Sequence, residues 1–553
     1  MIDVPGWVPI QQGAIVVAFL VAGIAVYAID RPGGRWGAAL RRRFLLGIPW
    51  GTVVTVGFVV GVYLFLQGGL RHWHTPVTIP FRAWSYFYPL GMVTAGFSHN
   101  GVGHLLGNLA ATLTLAPLAE YAWGHYPRKR GSTSMSSWRT NPYVRAFVVF
   151  PAVVLVVGLA TSVFALGPVI GFSGVVFAFA GFALVNYPLK TVVALAAGRA
   201  LRLVYNAMQE PTVTASGRPT YITPWWADIA IQGHALGLFI GVILGLYVVR
   251  ARPATDRPSA LKLWTGSVLF AVSQSMWAIY WYRGGETYVL FRAVGLALVV
   301  VLALVVVFAA VTSDRPTLTH AFDGQFSFRR WQAGAACLVV AAAAVSGPAV
   351  PYNLYTANGG DLPGEPVQVE DYEVTYAEDV PNGMVSAFQF DAFGETTNVD
   401  TSGVIVESES RAIWTTAVSK GRLAFAGRAP ITLGGVGWRE TVYAERDGWV
   451  AVGGGTAYRV ALRNDGESRI VHTSEAATAG PVIAGRNVSV VPTADGYYIE
   501  VERRDETVSA LVPERGESVT VEQITFVREK NRVYAERDGT RVRVLQKERY
   551  RGS

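Results

Sequence analysis

The chain has 553 residues, 51% of them hydrophobic and only 16% charged, which is too apolar and too long for one soluble domain. Its net charge of +8 is split: residues 1–350 carry 25 basic and 9 acidic side chains (+16), and residues 351–553 carry 22 and 30 (−8). The basic excess lies in short loops between apolar runs, a membrane pattern that excludes reading it as a nucleic-acid surface.

Asp3 and the lack of a basic residue before the first apolar run argue against a cleaved signal peptide. A bilayer core needs about 20 apolar residues per helix, with shorter spans tolerated. Ten predicted spans follow, at about 13–29, 44–66, 99–118, 145–166, 173–189, 190–207, 233–249, 259–281, 288–311 and 332–349. Arg199 and Arg202 interrupt the sixth, for which an interfacial helix is the alternative. Five arginines between Arg31 and Arg43, then Arg128, Lys129, Arg130, Arg139 and Arg145, then Arg250, Arg252 and Arg257, and finally Arg329 and Arg330 all fall in loops of one parity. That side is the cytoplasmic one, which puts both termini outside. The single cysteine, Cys337, allows no intrachain disulfide and no cysteine metal cluster, and inside an apolar run it reads as a small buried residue.

From Pro351 onward, short runs rich in Val, Thr, Tyr and Ile are punctuated by Gly, Asn and Asp-Gly, the signature of strands and hairpins. Residues 351–553 are therefore predicted to form a mostly β extracytoplasmic domain. The heptapeptide Val442 to Gly448 recurs at Val533 to Gly539, which suggests a duplicated hairpin or half-domain, or two similar strand–turn solutions. His472, the only histidine there, reads as a surface residue. The fold class expected is a polytopic helical membrane protein with a C-terminal β-rich domain.

Polar residues inside membrane spans are costly and are functional candidates by default. Gly171-Phe172-Ser173-Gly174 opens the fifth span, with glycines that let backbone approach closely and leave the serine N–H accessible. Taken alone, such a motif is common where membrane helices pack. Gly233-His234 opens the seventh span, followed by Gly237, Gly241 and Gly245, a ridge of small residues suited to close helix contact. Both spans start at the outer face, so Ser173 and His234 share one depth, as a nucleophile and its base require. Asp228 lies in the preceding loop and reads as solvated, so a dyad is the natural reading. His104 and Asn108 are four apart on the third span, on one helix face, and two donors there can hold an oxyanion. For either alone, a structural hydrogen bond to a neighbouring helix is the plainer reading. Trp84-Ser85-Tyr86-Phe87-Tyr88, like Trp225 and Trp226, fits either an interfacial aromatic belt or a substrate entrance.

Together these residues resemble the rhomboid intramembrane serine proteases over roughly residues 44–250. The resemblance rests on His99, His104 and Asn108, on Gly171, Ser173 and Gly174, and on Gly233, His234, Gly237 and Gly241, in that order. It implies Ser173 as nucleophile, His234 as general base, and an oxyanion site made by His104, Asn108 and the Ser173 N–H. Gly171, Gly174, His99 and Phe177 would support them, and Glu120 resembles the family's structural glutamate. Two positions depart from the family pattern: Ser85 follows Trp84 where arginine is frequent, and Phe177 stands where tyrosine is frequent. The implied activity is hydrolysis of transmembrane protein substrates in the bilayer, with no cofactor, no metal and no nucleic-acid partner. Residues 1–43 (a span and a basic loop), 251–350 (three spans) and 351–553 lie outside the resemblance, and the last could bind a protein partner. A non-catalytic rhomboid-fold scaffold and a transporter or channel are the competing readings. Few charges lie within the spans, which disfavours an ion pathway.

Overall fold

The computed structural model describes residues 9–126, 135–213, 219–227, 229–252, 257–311, 316–318, 328–354, 362, 364–384, 391–392, 395–504 and 506–551. The chain divides into two compact units. One holds residues 1–217, 224–281 and 289–355, and the other holds 218–223, 282–288 and 356–553.

In the first unit, a helix stands over each of the ten apolar stretches among the described residues. They are α1 (Ile10–Asp30), α2 (Trp50–Leu66), α3 (Val102–Trp123), α4 (Pro142–Val163) and α5 (Ser173–Asn186). They continue with α6 (Pro188–Gln209), α7 (Ile231–Arg250), α8 (Ala260–Ser273), α9 (Arg292–Val311) and α10 (Arg330–Ser346). A short α11 (Ala349–Leu354) follows. Of these, α1, α3, α4, α7, α9 and the stretch Arg330–Leu354 are long and apolar enough to cross a membrane, and α2, α5 and α8 are shorter apolar helices. The chain thus has a membrane-type helical core. The basic residues at 128–130 and Asp228 lie outside the described residues.

Helix α5 is the centre of this unit, with 12 of its 14 residues buried. Its partner α7 approaches it along the glycine ridge. An added Cβ would meet the Gly174 carbonyl oxygen at 2.0 Å from Gly237 and the Ala178 carbonyl oxygen at 2.0 Å from Gly241, so only glycine permits this contact. At the opposite end of α3, buried Glu120 accepts from Gly51 N (2.8 Å), Thr52 N (2.8 Å) and Thr52 Oγ1 (2.7 Å), and His125 Nε2 lies 2.5 Å away. A buried carboxylate needs such partners, and here they fix α2 to α3.

Three expectations about the helical part of the chain change. Cys337 is exposed, not buried. Helix α10 buries its Gly334 and Leu338 edge, and Cys337 lies about 100° around the helix from Leu338. The second stretch becomes helical only at Trp50, because Leu46 holds a positive φ of 59° and Pro49 precedes the first turn. The expected start of the β region at Pro351 falls inside α11, which belongs to the helical unit; the second unit resumes at residue 356.

The second unit is mostly antiparallel β-sheet. One sheet runs Ile413–Ser419, Asp400–Ser408, Tyr372–Pro381 and Val367–Val369. The largest runs Glu467–Thr473, Thr456–Asn464, Trp438–Ala451, Thr540–Lys547, Arg532–Arg537, Ile524–Glu529 and Ser518–Val521, with Arg428–Gly435 also paired to Trp438–Ala451. Buried Trp449, Phe526 and Val533 of this sheet cluster with Val490 and Ile499 of a further four-stranded sheet that includes Asn487–Pro492 and Tyr497–Arg503. Asp371 is held by Arg411 at 2.5 and 2.6 Å and by the Ser408 and Ser410 hydroxyls. Burial raises its carboxyl pKa, but these partners outweigh burial and hold it below the ordinary value.

The repeated heptapeptide is not a duplicated hairpin. At Val533 to Gly539 it ends in a turn, with Asp538 and Gly539 at φ of 48° and 77°. At Val442 to Gly448 it runs straight through one strand, Asp447 pairing with Arg459 and Gly448 with Tyr458. Neighbouring strands, not the local sequence, decide between the two. Nor is His472 a free surface side chain. It lies against the Tyr376 and Tyr458 rings, 4.7 and 5.8 Å between centroids, and 3.6 Å from Glu378. Burial, with Lys420 and Arg446, lowers its pKa against the pull of Glu378.

Candidate active site

Ser173 is the first residue of α5, where a backbone N–H has no intrahelical acceptor and the helix dipole is positive. The chain reaches it through Gly171, whose φ of +140° is a conformation that other residues rarely adopt. His234 lies in the first turn of α7. Because the glycine ridge brings α5 and α7 together, His234 Nε2 stands 2.9 Å from Ser173 Oγ, a hydrogen bond. The Phe177 ring, one turn after Ser173, stacks on the His234 imidazole at 4.2 Å between centroids and 9° between planes. This contact fixes the ring without a hydrogen bond. His234 Nδ1 is buried and has no hydrogen-bond partner among the described residues.

Gly171 also meets α3. A Cβ there would lie 2.9 Å from His104 Nε2 and 3.6 Å from Ser173 Oγ, so these two atoms are at most 6.5 Å apart, the sum of the two distances. A side chain at Gly171 would fill that gap, so glycine keeps it open. Asn108, one turn along α3 from His104, is buried, and its Nδ2 has no hydrogen-bond partner among the described residues. The His99 ring packs edge-on against His104 at 5.1 Å, and its backbone is held by Gln67, which accepts from His99 N and donates to His99 O at 2.8 Å each. Gly174 allows α5 to lie against Thr161 of α4, where a Cβ would meet Cγ2 at 2.8 Å.

In the aromatic loop, Trp84 and Ser85 are buried and Phe87 is exposed. Trp84 Nε1 donates to the Ile79 carbonyl at 2.6 Å, so this ring is a folding element of the loop. Trp225 is exposed and meets Trp277 edge-on at 6.2 Å between centroids. A cavity of about 520 Å³ is lined by Gly233, Ala235 and Leu238 of α7 and by residues of α8 and α9, but by neither Ser173 nor His234.

An imidazole bonded to a hydroxyl can take its proton as the oxygen attacks a carbonyl. Free N–H donors beside that hydroxyl can hold the resulting oxyanion. One residue that sequence reasoning passed over also sits here: Gln232, two before His234, whose Nε2 donates to Phe164 O at 2.6 Å and whose Oε1 accepts from Leu166 N at 3.2 Å. A glutamine beside the histidine at a helix start was the available signal.

Residues 86–251 match the family model of the Rhomboid domain. Neither the curated proteins nor the solved structures compared with the chain gave a match.

Proposed function

We propose that this chain, a rhomboid family member, is an intramembrane serine endopeptidase. The reading rests above all on the 2.9 Å bond between Ser173 Oγ and His234 Nε2, set at the start of two helices held together by glycines. Ser173 attacks the substrate carbonyl while His234 takes its proton. His234 then gives that proton to the leaving amine, and water releases the acyl-enzyme by the same base. His104, Asn108 and the Ser173 N–H hold the oxyanion, and Gly171, Gly174, His99 and Phe177 support the geometry. Residues 44–250 form the protease core, and the spans of 1–43 and 251–350 are additions to it.

Rhomboid family proteins act on transmembrane substrates within the lipid bilayer. An intact helix hides its carbonyls, so a substrate must present an unwound segment. The charge of the loops supports ten spans with both termini and the β unit on the extracytoplasmic side. Replacing Ser173 with Ala, in a membrane assay with a single-span reporter, tests the reading. Cleavage should disappear with Ser173→Ala; unchanged cleavage would overturn the assignment of Ser173, and a wild-type protein that cleaves no reporter would favour the non-catalytic scaffold.

A further inference from the structure

The last membrane helix ends against the loops around Ser173. Asn353, in α11, is fully buried. Its Nδ2 donates to Ala165 O at 2.9 Å and to Val163 O at 3.2 Å, carbonyls at and just past the end of α4 that the helix itself leaves unpaired. Its own carbonyl, near the end of α11, accepts from Tyr86 N at 3.0 Å and from Ser85 Oγ at 3.2 Å. Ser85 is 1% exposed, so this contact is shielded from solvent. Tyr86 Oη returns to Val163 O at 2.8 Å. One residue thus joins the end of α4 to the aromatic loop.

Both joined segments lead to Ser173. The aromatic loop is stitched to the chain before Ser173 by Ala83 N to Val169 O at 3.0 Å, and Gly171 N donates to Ala95 O at 2.8 Å. On the other side, Gln232 carries Phe164 and Leu166 to the start of the His234 helix, and its Nε2 also donates to Val345 O of α10 at 3.1 Å. Two side-chain amides therefore connect α4, α7, α10–α11 and the aromatic loop around the segment that delivers Ser173.

We propose that Asn353 and Gln232 are positioning residues for the reaction. The closing turn of the added spans is then part of the machinery that holds the Ser173 loop against the His234 helix. The inference rests on the reading of Ser173 as the nucleophile. Each amide acts through backbone carbonyl or N–H groups and touches no reacting atom. Its loss would let residues 163–172 drift relative to α7, lowering turnover and leaving substrate binding intact.

The test uses the full-length protein in lipid vesicles, with a single-span reporter for kcat and KM and a fluorophosphonate for the labelling rate of Ser173. Asn353→Leu keeps the volume and removes the donors, and Asn353→Asp turns an oxygen toward two carbonyls. Both should lower kcat and the labelling rate together by about tenfold or more, with KM within about twofold, because small misplacements of a nucleophile cost rate steeply. Gln232→Leu should do the same, and it decides the matter if the Asn353 variants do not fold. Unchanged kcat, or a raised KM with an unchanged labelling rate, would overturn the proposal. If the wild-type protein itself fails to label at Ser173, the reading of the site has failed, not the role of these amides.

Discussion

The distance between Ser173 and His234 is set by glycine, and a single methyl group tests that claim. In Gly237→Ala the new Cβ would sit 2.0 Å from the Gly174 carbonyl oxygen, where real contacts are essentially never under 3.0 Å. The helices must part by at least 1.0 Å, the difference between those two distances. Gly174 follows Ser173 directly and Gly237 lies one turn beyond His234, so most of that displacement reaches the dyad. A bond of 2.9 Å then opens toward about 3.9 Å, past the range of a useful hydrogen bond. A misplacement of about 1 Å costs on the order of a hundredfold in rate, and overpacking costs about 1–3 kcal/mol in stability. Gly233→Ala is the matched control, since nothing lies within 4 Å of its Cβ. Alanine should be neutral there, or favourable by about 1 kcal/mol of helix propensity. The assay is reporter cleavage by each variant in lipid vesicles, with folding checked by thermal unfolding in detergent. A folded Gly237→Ala protein with wild-type turnover would refute the argument, as would equal losses in the two variants.

Further outcomes follow from the same contacts. Phe177→Leu keeps apolar bulk but loses the flat stack on His234, worth about 1 kcal/mol, so kcat should fall roughly fivefold. Glu120→Gln leaves a buried amide N–H facing donors that Glu120 now satisfies. It should cost about 3 kcal/mol, read as a lowered unfolding midpoint in detergent. In the β unit, Asp371 has a carboxyl held below its ordinary 3.8, so its contribution is complete above pH 3.8 and is lost as pH falls through the lower folded value. The unfolding midpoint of the β signal, compared between wild type and Asp371→Asn, should show that loss in the wild type alone.

The helical framework was legible because each apolar run is long and the loops between them carry a consistent charge bias. The candidate site was legible because serine, histidine and glycine are conspicuous inside such runs. What escaped was decided by partners far apart in sequence. Asn353 carries no local mark of its role, since its meaning comes from carbonyls at Val163 and Ala165 that the sequence does not place beside it. Pro351 reads as the start of the β-rich region, yet it lies within α11. The heptapeptide shows the limit most plainly, because seven identical residues form a straight strand in one place and a strand ending in a turn in the other. His472 could be recognised as part of an aromatic cluster only once Tyr376 and Tyr458 had been brought to it by sheet pairing.

The central claim is that Ser173 is a nucleophile activated by His234. Covalent capture tests it most directly: the purified protein is treated with a fluorophosphonate and the modified residue is mapped by peptide mass spectrometry. The account predicts a single adduct on Ser173, lost in Ser173→Ala and strongly slowed in His234→Ala. An adduct on another serine, or equal labelling of the wild type and His234→Ala, would contradict it.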